Sequence, residues 1–200
     1  MSERSERVIG GRTEATIVVV PGLRDHVPGH WQTILAERLT AAGRTVHTVA
    51  PLAENQLRRA ARGAALEAVV AAVPGPVVLV AHSAGVMTTV HWARSSTRPV
   101  LGALLATPPD FDTPLPEGYP PPDVLSRNGW TPVPRTALPF PSIVAASSND
   151  PLGSEVRVAR LAEHWGSRLV RLGEVGHLNP GSGYGPWPQA EDLVRELEQG

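Results

Sequence analysis

The 200 residues of this chain include no cysteine and no lysine. Without cysteine there is no disulfide frame, no thiolate metal site and no thiol nucleophile, and redox chemistry leaves the compartment unfixed. Without lysine all 18 basic residues are arginine, which reads as compositional bias of the genome rather than as chemistry. They are balanced by 19 acidic residues, for a net charge of −1 and a pI near 6.7. That balance offers no electrostatic footprint for nucleic acid or an anionic membrane surface. No stretch approaches the ~18 apolar residues of a membrane span, and the opening MSERSERVIGGRTE lacks the apolar centre of a signal peptide. The expectation is a soluble, cytoplasmic protein with no nucleic-acid or membrane partner and no strong signal for a protein partner. The length suits one domain with a sizeable core, burying roughly 70% of the surface its unfolded chain exposes.

What the chain does have is branched aliphatics, small residues and proline, and one stretch organises them: residues 77–86, VVLVAHSAGV. The run from Val77 to Val80 is bracketed by Pro74, Gly75 and Pro76 and has the length of a buried parallel strand. After Ser83 the period changes, with Val86, Val90 and Ala93 at helical spacing. A serine between strand and helix, with small residues two positions either side (Ala81, Gly85), resembles the nucleophile elbow of α/β-hydrolases. Ala81 is the smallest departure from the G-x-S-x-G form. The alternative is that Ser83 merely caps the helix after it. In an elbow, the Ala84 N–H opening that helix points toward an oxyanion, with the helix dipole behind it.

Along the chain, residues 1–15 read as a disordered lead-in. Thr16–Val20 is a buried-type strand that ends at Pro21-Gly22-Leu23, and helical spacing then carries Trp31, Leu35 and Leu39 until Gly43. A strand nearer the sheet edge is expected over Thr45–Val49. Asn55 is expected to cap a helix with Leu57, Ala61, Ala64, Ala68 and Ala72 on one face, in which Gly63 costs ~1 kcal/mol unless something packs against it. Further strands are expected at Val100–Leu105, Ser142–Ser147 and Arg168–Leu172. Helices are expected to open at Asp150-Pro151 and to close the chain over Gln189–Glu198. Such alternation argues a parallel sheet covered on both faces. The exception is the proline-rich stretch 107–139, an excursion expected to lie over the active-site edge. Its Phe111, Tyr119 and Trp130 are offered as pocket walls that choose the acyl group, or else as anchors for the loop.

In a parallel sheet reactive groups gather at the strand C-termini, and Ser83, Asp150 and His177 fall at such ends in the α/β-hydrolase order. The imidazole would take and return the serine proton while the carboxylate orients the ring. Asp150 before Pro151 also reads as a helix cap, and Asp110, Asp112 and Asp123 are weaker candidates for the acid. His177 lies in a glycine-rich loop where a histidine has no packing reason to be. His82 should point away from Ser83, since side chains alternate along a strand. His26, His30 and Trp31, near the first strand's end, are candidates for lining the pocket, while His47, His91 and His164 read as surface or core-edge histidines. The second oxyanion donor is assigned to Leu23, with Arg24 as the neighbouring possibility.

VVVPGL followed by HW, then AHSAG, SSNDP and GHLNPGSGYGPWP, together resemble the serine-hydrolase family of retinoblastoma-binding protein 9 and the bacterial YdeN proteins. The resemblance covers essentially residues 16–198, and the last motif is its most specific part. It implies a compact α/β-hydrolase over 16–200 that lacks the two leading antiparallel strands of larger relatives, with Ser83, Asp150 and His177 matching the family triad. Animal members carry an L-x-C-x-E partner motif, which a chain without cysteine does not inherit. The expected protein is thus a six-stranded parallel α/β-hydrolase, order 2-1-3-4-5-6 by chain position, with helices on both faces. It would cleave small carboxylic esters or amides through an acyl-Ser83 intermediate, with no metal or organic cofactor implied. Its rivals are a binding protein with the triad disabled and an acyltransferase using the same intermediate.

Overall fold

The computed structural model describes residues 8–9, 12–24 and 27–200. Val8–Ile9 (β1) and Arg12–Thr13 (β2) pair antiparallel as a small separate sheet. Thr16–Val20 (β3), Val46–Thr48 (β4), Val77–His82 (β5), Gly102–Ala106 (β6), Ser142–Ala146 (β7) and Arg168–Arg171 (β8) form one parallel sheet in the order β4-β3-β5-β6-β7-β8. Counted along the chain, these strands run 2-1-3-4-5-6, as expected. The disordered lead-in expected over 1–15 needs correction where the structure describes it, because β1 pairs with β2 and Ala15 is buried. Residues 1–7, 10 and 11 lie outside the described residues.

Every residue of β3, β5, β6 and β7 is buried, which is why these segments read as unbroken apolar runs. Alternation along each strand divides them between two cores. Val18, Leu79, Leu105 and Val144 face one side with Arg59–Ala72 (α2), Ala84–Trp92 (α3) and Glu155–Trp165 (α5). Ile17, Val80, Leu104 and Ile143 face the other with Trp31–Ala41 (α1) and Gln189–Gln199 (α6). The edge strands β4 and β8 are only partly buried. Among the described residues no helix is long and apolar enough to cross a membrane.

Helix α2 differs from its expectation in both start and face. Arg58, not Asn55, is its N-cap, and Arg62, Leu66 and Val70 are its buried residues while Ala64, Ala68 and Ala72 are exposed. Alanines recur on every side of this helix and so mark no face. The larger Leu66 and Val70 have more apolar area to remove from water and set the rotation.

The proline-rich excursion contains one short helix, Pro122–Arg127 (α4). Its later part is core, with Leu125, Trp130 and Val133, and Phe140 just beyond it, joining the α2–α3–α5 side. Trp130 is wholly buried: its indole N–H donates to the Leu57 carbonyl at 2.7 Å, and its own carbonyl accepts from His91 Nε2 at 3.1 Å.

Within α2, nothing lies within 4 Å of where a Cβ on Gly63 would stand. Gly63→Ala should therefore raise stability by about 0.5–1 kcal/mol, read as a higher urea midpoint at unchanged m-value. A lower midpoint would mean that the glycine answers a packing demand.

Candidate active site

Strand β5 ends by delivering Ser83 to the C-terminal edge of the sheet. Ser83 has φ 55° and ψ −127°, a strained conformation for a residue with a side chain, and its N–H is held by Ala106 O at 3.0 Å. The turn brings α3 so near the end of β3 that a Cβ on Gly85 would collide with Val20 O and lie 2.7 Å from Pro21 O. Ser83 makes no side-chain cap bond to α3, which removes the helix-cap alternative. Its Oγ lies 2.8 Å from His177 Nε2 instead.

On the far side of the ring, His177 Nδ1 is 2.8 Å from Asp150 Oδ2. The neutral imidazole consistent with both contacts has its proton on Nδ1, donating to the carboxylate, and a lone pair on Nε2 that accepts from the serine hydroxyl. Asp150 Oδ1 accepts the Leu152 N–H at 2.9 Å, closing a tight turn. It does not open the following helix, as its place before Pro151 suggested: α5 begins at Glu155 with Ser154 as its N-cap. The other acids have partners elsewhere. Asp110 pairs with Arg157 and Thr113, Asp112 with Arg135 and Asp123 with Arg127.

The loop carrying His177 is fixed by bonds to its backbone. The His177 N–H donates to Ser182 Oγ at 3.0 Å, and Ser182 Oγ donates to Asn179 Oδ1 at 3.0 Å. Asn149 Oδ1 accepts the Gly176 N–H at 2.6 Å, tying the acid loop to the histidine loop. His82 lies on the α1 side of the sheet, its ring 4.6 Å from His30 and 6.1 Å from Trp31. There its Nε2–H donates to the His177 carbonyl at 2.9 Å. The sequence reading gave it no task.

The loop after β3 passes close to the serine: a Cβ on Gly22 would stand 3.2 Å from Ser83 Cβ. The next peptide is held by Arg62, which is only 5% exposed. Its guanidinium donates to Gln56 O at 2.6 Å, Gly22 O at 3.0 Å and Leu23 O at 3.3 Å. In a trans peptide the C=O and the following N–H point opposite ways, so anchoring Gly22 O sets the direction of the Leu23 N–H. Ala84 opens α3 and has no intrahelical acceptor for its own N–H. Sequence reasoning missed Arg62, whose signal is an arginine at the inward spacing of Leu66 and Val70.

Ser83 and His177 open into a cavity of about 380 Å³ whose walls include Leu57, Pro109, Phe111, Leu115, Tyr119 and Leu152. Of the expected lining residues, Leu23, Ala84, His30, Phe111 and Tyr119 are there. Trp31 and Trp130 are not, and both expectations are corrected. Trp31 is 1% exposed because it lies on the inward face of α1 with Leu35 and Leu39, packed edge-on against Trp187 at 4.8 Å. Trp130 stands behind Phe111, ring centroids 5.5 Å apart, where its N–H can reach a carbonyl. His26 lies outside the described residues.

Burial pushes the His82 imidazole well below its ordinary value, helped by the charges His177 and His30 would carry, so His82 stays neutral and serves as an N–H donor. Burial likewise lowers His91 to about 4, against the opposing pull of its bond to Trp130 O.

A sequence profile of the family described as serine hydrolase matches residues 17–196. No curated protein matches the chain. Among solved structures, a protein described as a YdeN-like hydrolase from Pectobacterium atrosepticum is 27% identical, with a TM-score of 0.77 over 92% of this chain and 91% of that one. The ydeN gene product of B. subtilis is 18% identical, with a TM-score of 0.73 over 94% of this chain and 100% of that one. Est1E of Butyrivibrio proteoclasticus, solved with ferulic acid bound, is 10% identical, with a TM-score of 0.65 over 92% of this chain and 87% of that one. At such identities the last two share the fold, which is that of the α/β-hydrolases.

The two neutral histidines make stability depend on pH. In the unfolded chain both protonate near the ordinary 6.5, whereas folded His91 does so only near 4 and His82 also well below 6.5. Between those values the unfolded state binds more protons, so stability is lost as pH falls from 6.5 toward 4. Thermal melts should show the melting temperature dropping through this window, and His91→Gln should flatten part of the slope. An unchanged slope would mean that His91 is charged in the folded protein.

Proposed function

Because this chain belongs to the serine hydrolase family, we propose that it cleaves small carboxylic esters or amides through an acyl intermediate on Ser83. The observation that carries this reading is the unbroken path from Asp150 Oδ2 through His177 to Ser83 Oγ, 2.8 Å at each step, at the mouth of a largely apolar cavity. His177 Nε2 takes the hydroxyl proton as Ser83 Oγ attacks the substrate carbonyl, and Asp150 stabilises the imidazolium so formed. Nε2 then gives the proton to the leaving alcohol or amine. Water repeats the sequence on the acyl-serine and releases the acid. The Leu23 and Ala84 N–H groups receive the oxyanion, the second with the α3 dipole behind it. The scheme calls for neither metal nor organic cofactor.

A fluorophosphonate should modify Ser83 alone, located by mass spectrometry, because only a serine beside a base has an activated oxygen. Asp150→Asn and His177→Ala should each lower kcat by roughly 10⁴-fold, with the double variant little worse than the poorer single one. Modification at Ser126 or Ser182, or additive losses, would overturn the assignment. Adding an alcohol acceptor separates hydrolysis from acyl transfer, since a hydrolase continues to release mainly the free acid.

If Arg62 aims the oxyanion donor, Arg62→Ala should lower kcat by about 10- to 100-fold with KM little changed, somewhat less than the ~10²–10³ of losing a donor outright. Affinity for an alkyl boronic acid, whose tetrahedral adduct uses the same N–H groups, should fall in parallel. A variant that melts earlier but keeps kcat and boronate affinity would show that Arg62 only supports the fold.

A further inference from the structure

The reading above, on which this inference rests, leaves the acyl group open. The cavity before Ser83 has one arginine among its described lining residues, Arg24, and no aspartate or glutamate. Arg24 follows Leu23 in the chain, and its guanidinium carbon lies over the Tyr119 ring, 5.4 Å from the centroid. The loop after β3 and the proline-rich excursion thus meet at this contact, and Tyr119 lines the same cavity. In the excursion Asp110 is paired with Arg157 and Asp112 with Arg135, Glu117 makes no ion pair among the described residues, and no carboxylate among them pairs with Arg24. Arg62 donates to main-chain carbonyls, and His82 is neutral. Among the described residues the cavity is therefore largely apolar, with one arginine at its rim and no carboxylate in its lining.

Stacking occupies the face of a guanidinium and leaves its N–H edge open to a planar carboxylate, while restricting the side chain before the ligand arrives. The leaving group must end beside His177 Nε2, where it collects its proton, and the His177 side of the cavity is walled by Leu152, Asn179 and Pro180. Arg24 is carried by the loop of the proposed oxyanion donor Leu23 and meets the excursion at Tyr119, and an acyl group whose carbonyl oxygen is held by that loop has its chain beside these two segments.

We propose that Arg24, backed by Tyr119, is an anion subsite for a carboxylate at the far end of the acyl chain, so that the preferred substrates are half-esters or half-amides of dicarboxylic acids. Hydrolysis adds water across the scissile bond and frees the alcohol or amine, while the distal carboxylate stays unchanged and only binds.

The test compares p-nitrophenyl hydrogen glutarate with p-nitrophenyl pentanoate, which match in chain length and differ in the terminal carboxylate. At low salt the charged ester should have the higher kcat/KM by about tenfold, the worth of one charge-assisted hydrogen bond, and the ratio should shrink in high salt. Arg24→Gln should bring it to about unity. Equal rates for the two esters, or a preference that survives Arg24→Gln, would overturn the proposal. So would a preference for a carboxylate on the leaving group, tested with m-carboxyphenyl against phenyl pentanoate. Binding of monomethyl glutarate to Ser83→Ala, followed by calorimetry, should weaken about tenfold when Arg24→Gln is added. That measurement reads the subsite without turnover, so its failure is distinct from failure of Ser83 to react with a fluorophosphonate.

Discussion

The constraint on which the site depends is the contact of two backbones at Gly85, where there is no room for a Cβ against Val20 O. It presses the first turn of α3 onto the end of β3 and so fixes where the loop beyond β3 must leave the sheet. Gly22 then passes within 3.6 Å of Ser83 Oγ, measured from the position its Cβ would take. The same approach forces Ser83 into its positive-φ conformation, and packing on both sides of the sheet has to hold that strain. Gln32, buried in α1, closes the gap by donating to Val20 O at 3.2 Å and Val80 O at 2.9 Å. Val20 ends β3, where sheet partners give out, and a buried carbonyl without a partner is costly.

The reacting groups sit on loops, yet loops have little core of their own. Precision here comes from side chains that hold main-chain groups. His82 holds the His177 carbonyl, Ser182 its N–H, Asn149 the neighbouring Gly176 N–H, and Arg62 the two carbonyls that follow Pro21. Each holder is carried by a strand, a helix or a tight turn, or by the adjoining catalytic loop. The imidazole is thereby positioned from its backbone as well as from Asp150, and the site's geometry follows the rigid sheet more than the mobility of its loops.

These causes separate what was legible in the sequence from what was not. Buried parallel strands are continuous branched-aliphatic runs, so β3, β5, β6 and β7 could be read directly. Ser83 and Asp150 could be singled out because each follows such a run, and His177 because it lies in a glycine-rich loop beyond the last strand; the folded chain brings their side chains within hydrogen-bonding distance. The face of α2 was hidden by alanines on every side. Trp31 and Trp130 were misplaced because a tryptophan's spacing is the same whether it lines a pocket or fills a core. The deciding facts for Trp130, a carbonyl within reach of the indole N–H and an aromatic neighbour to back, are tertiary. Asp150 before Pro151 has the local chemistry of a cap, and only the fold shows that its two oxygens go to Leu152 and His177.

The absence of lysine, which from composition alone signifies nothing chemical, acquires a structural meaning at these loops. Arg44 donates to Ala15 O, Arg59 to Gly129 O, Arg62 to Gln56, Gly22 and Leu23 O, and Arg98 to Val73 and Gly75 O. An ammonium is a compact, strongly hydrated point charge, whereas a guanidinium spreads its donors over a rigid fork and is more easily stripped of water. Arg62 reaches carbonyls from both the loop after β3 and the approach to α2, and Arg98 reaches two carbonyls at the entry to β5 from a single nitrogen. Where a parallel sheet ends, successive carbonyls diverge, and a forked donor can collect several of them from one helix or loop position. A chain whose basic residues are all arginine therefore has the side chain best suited to hold its loop carbonyls, and the arginine at the cavity rim is one of the same set.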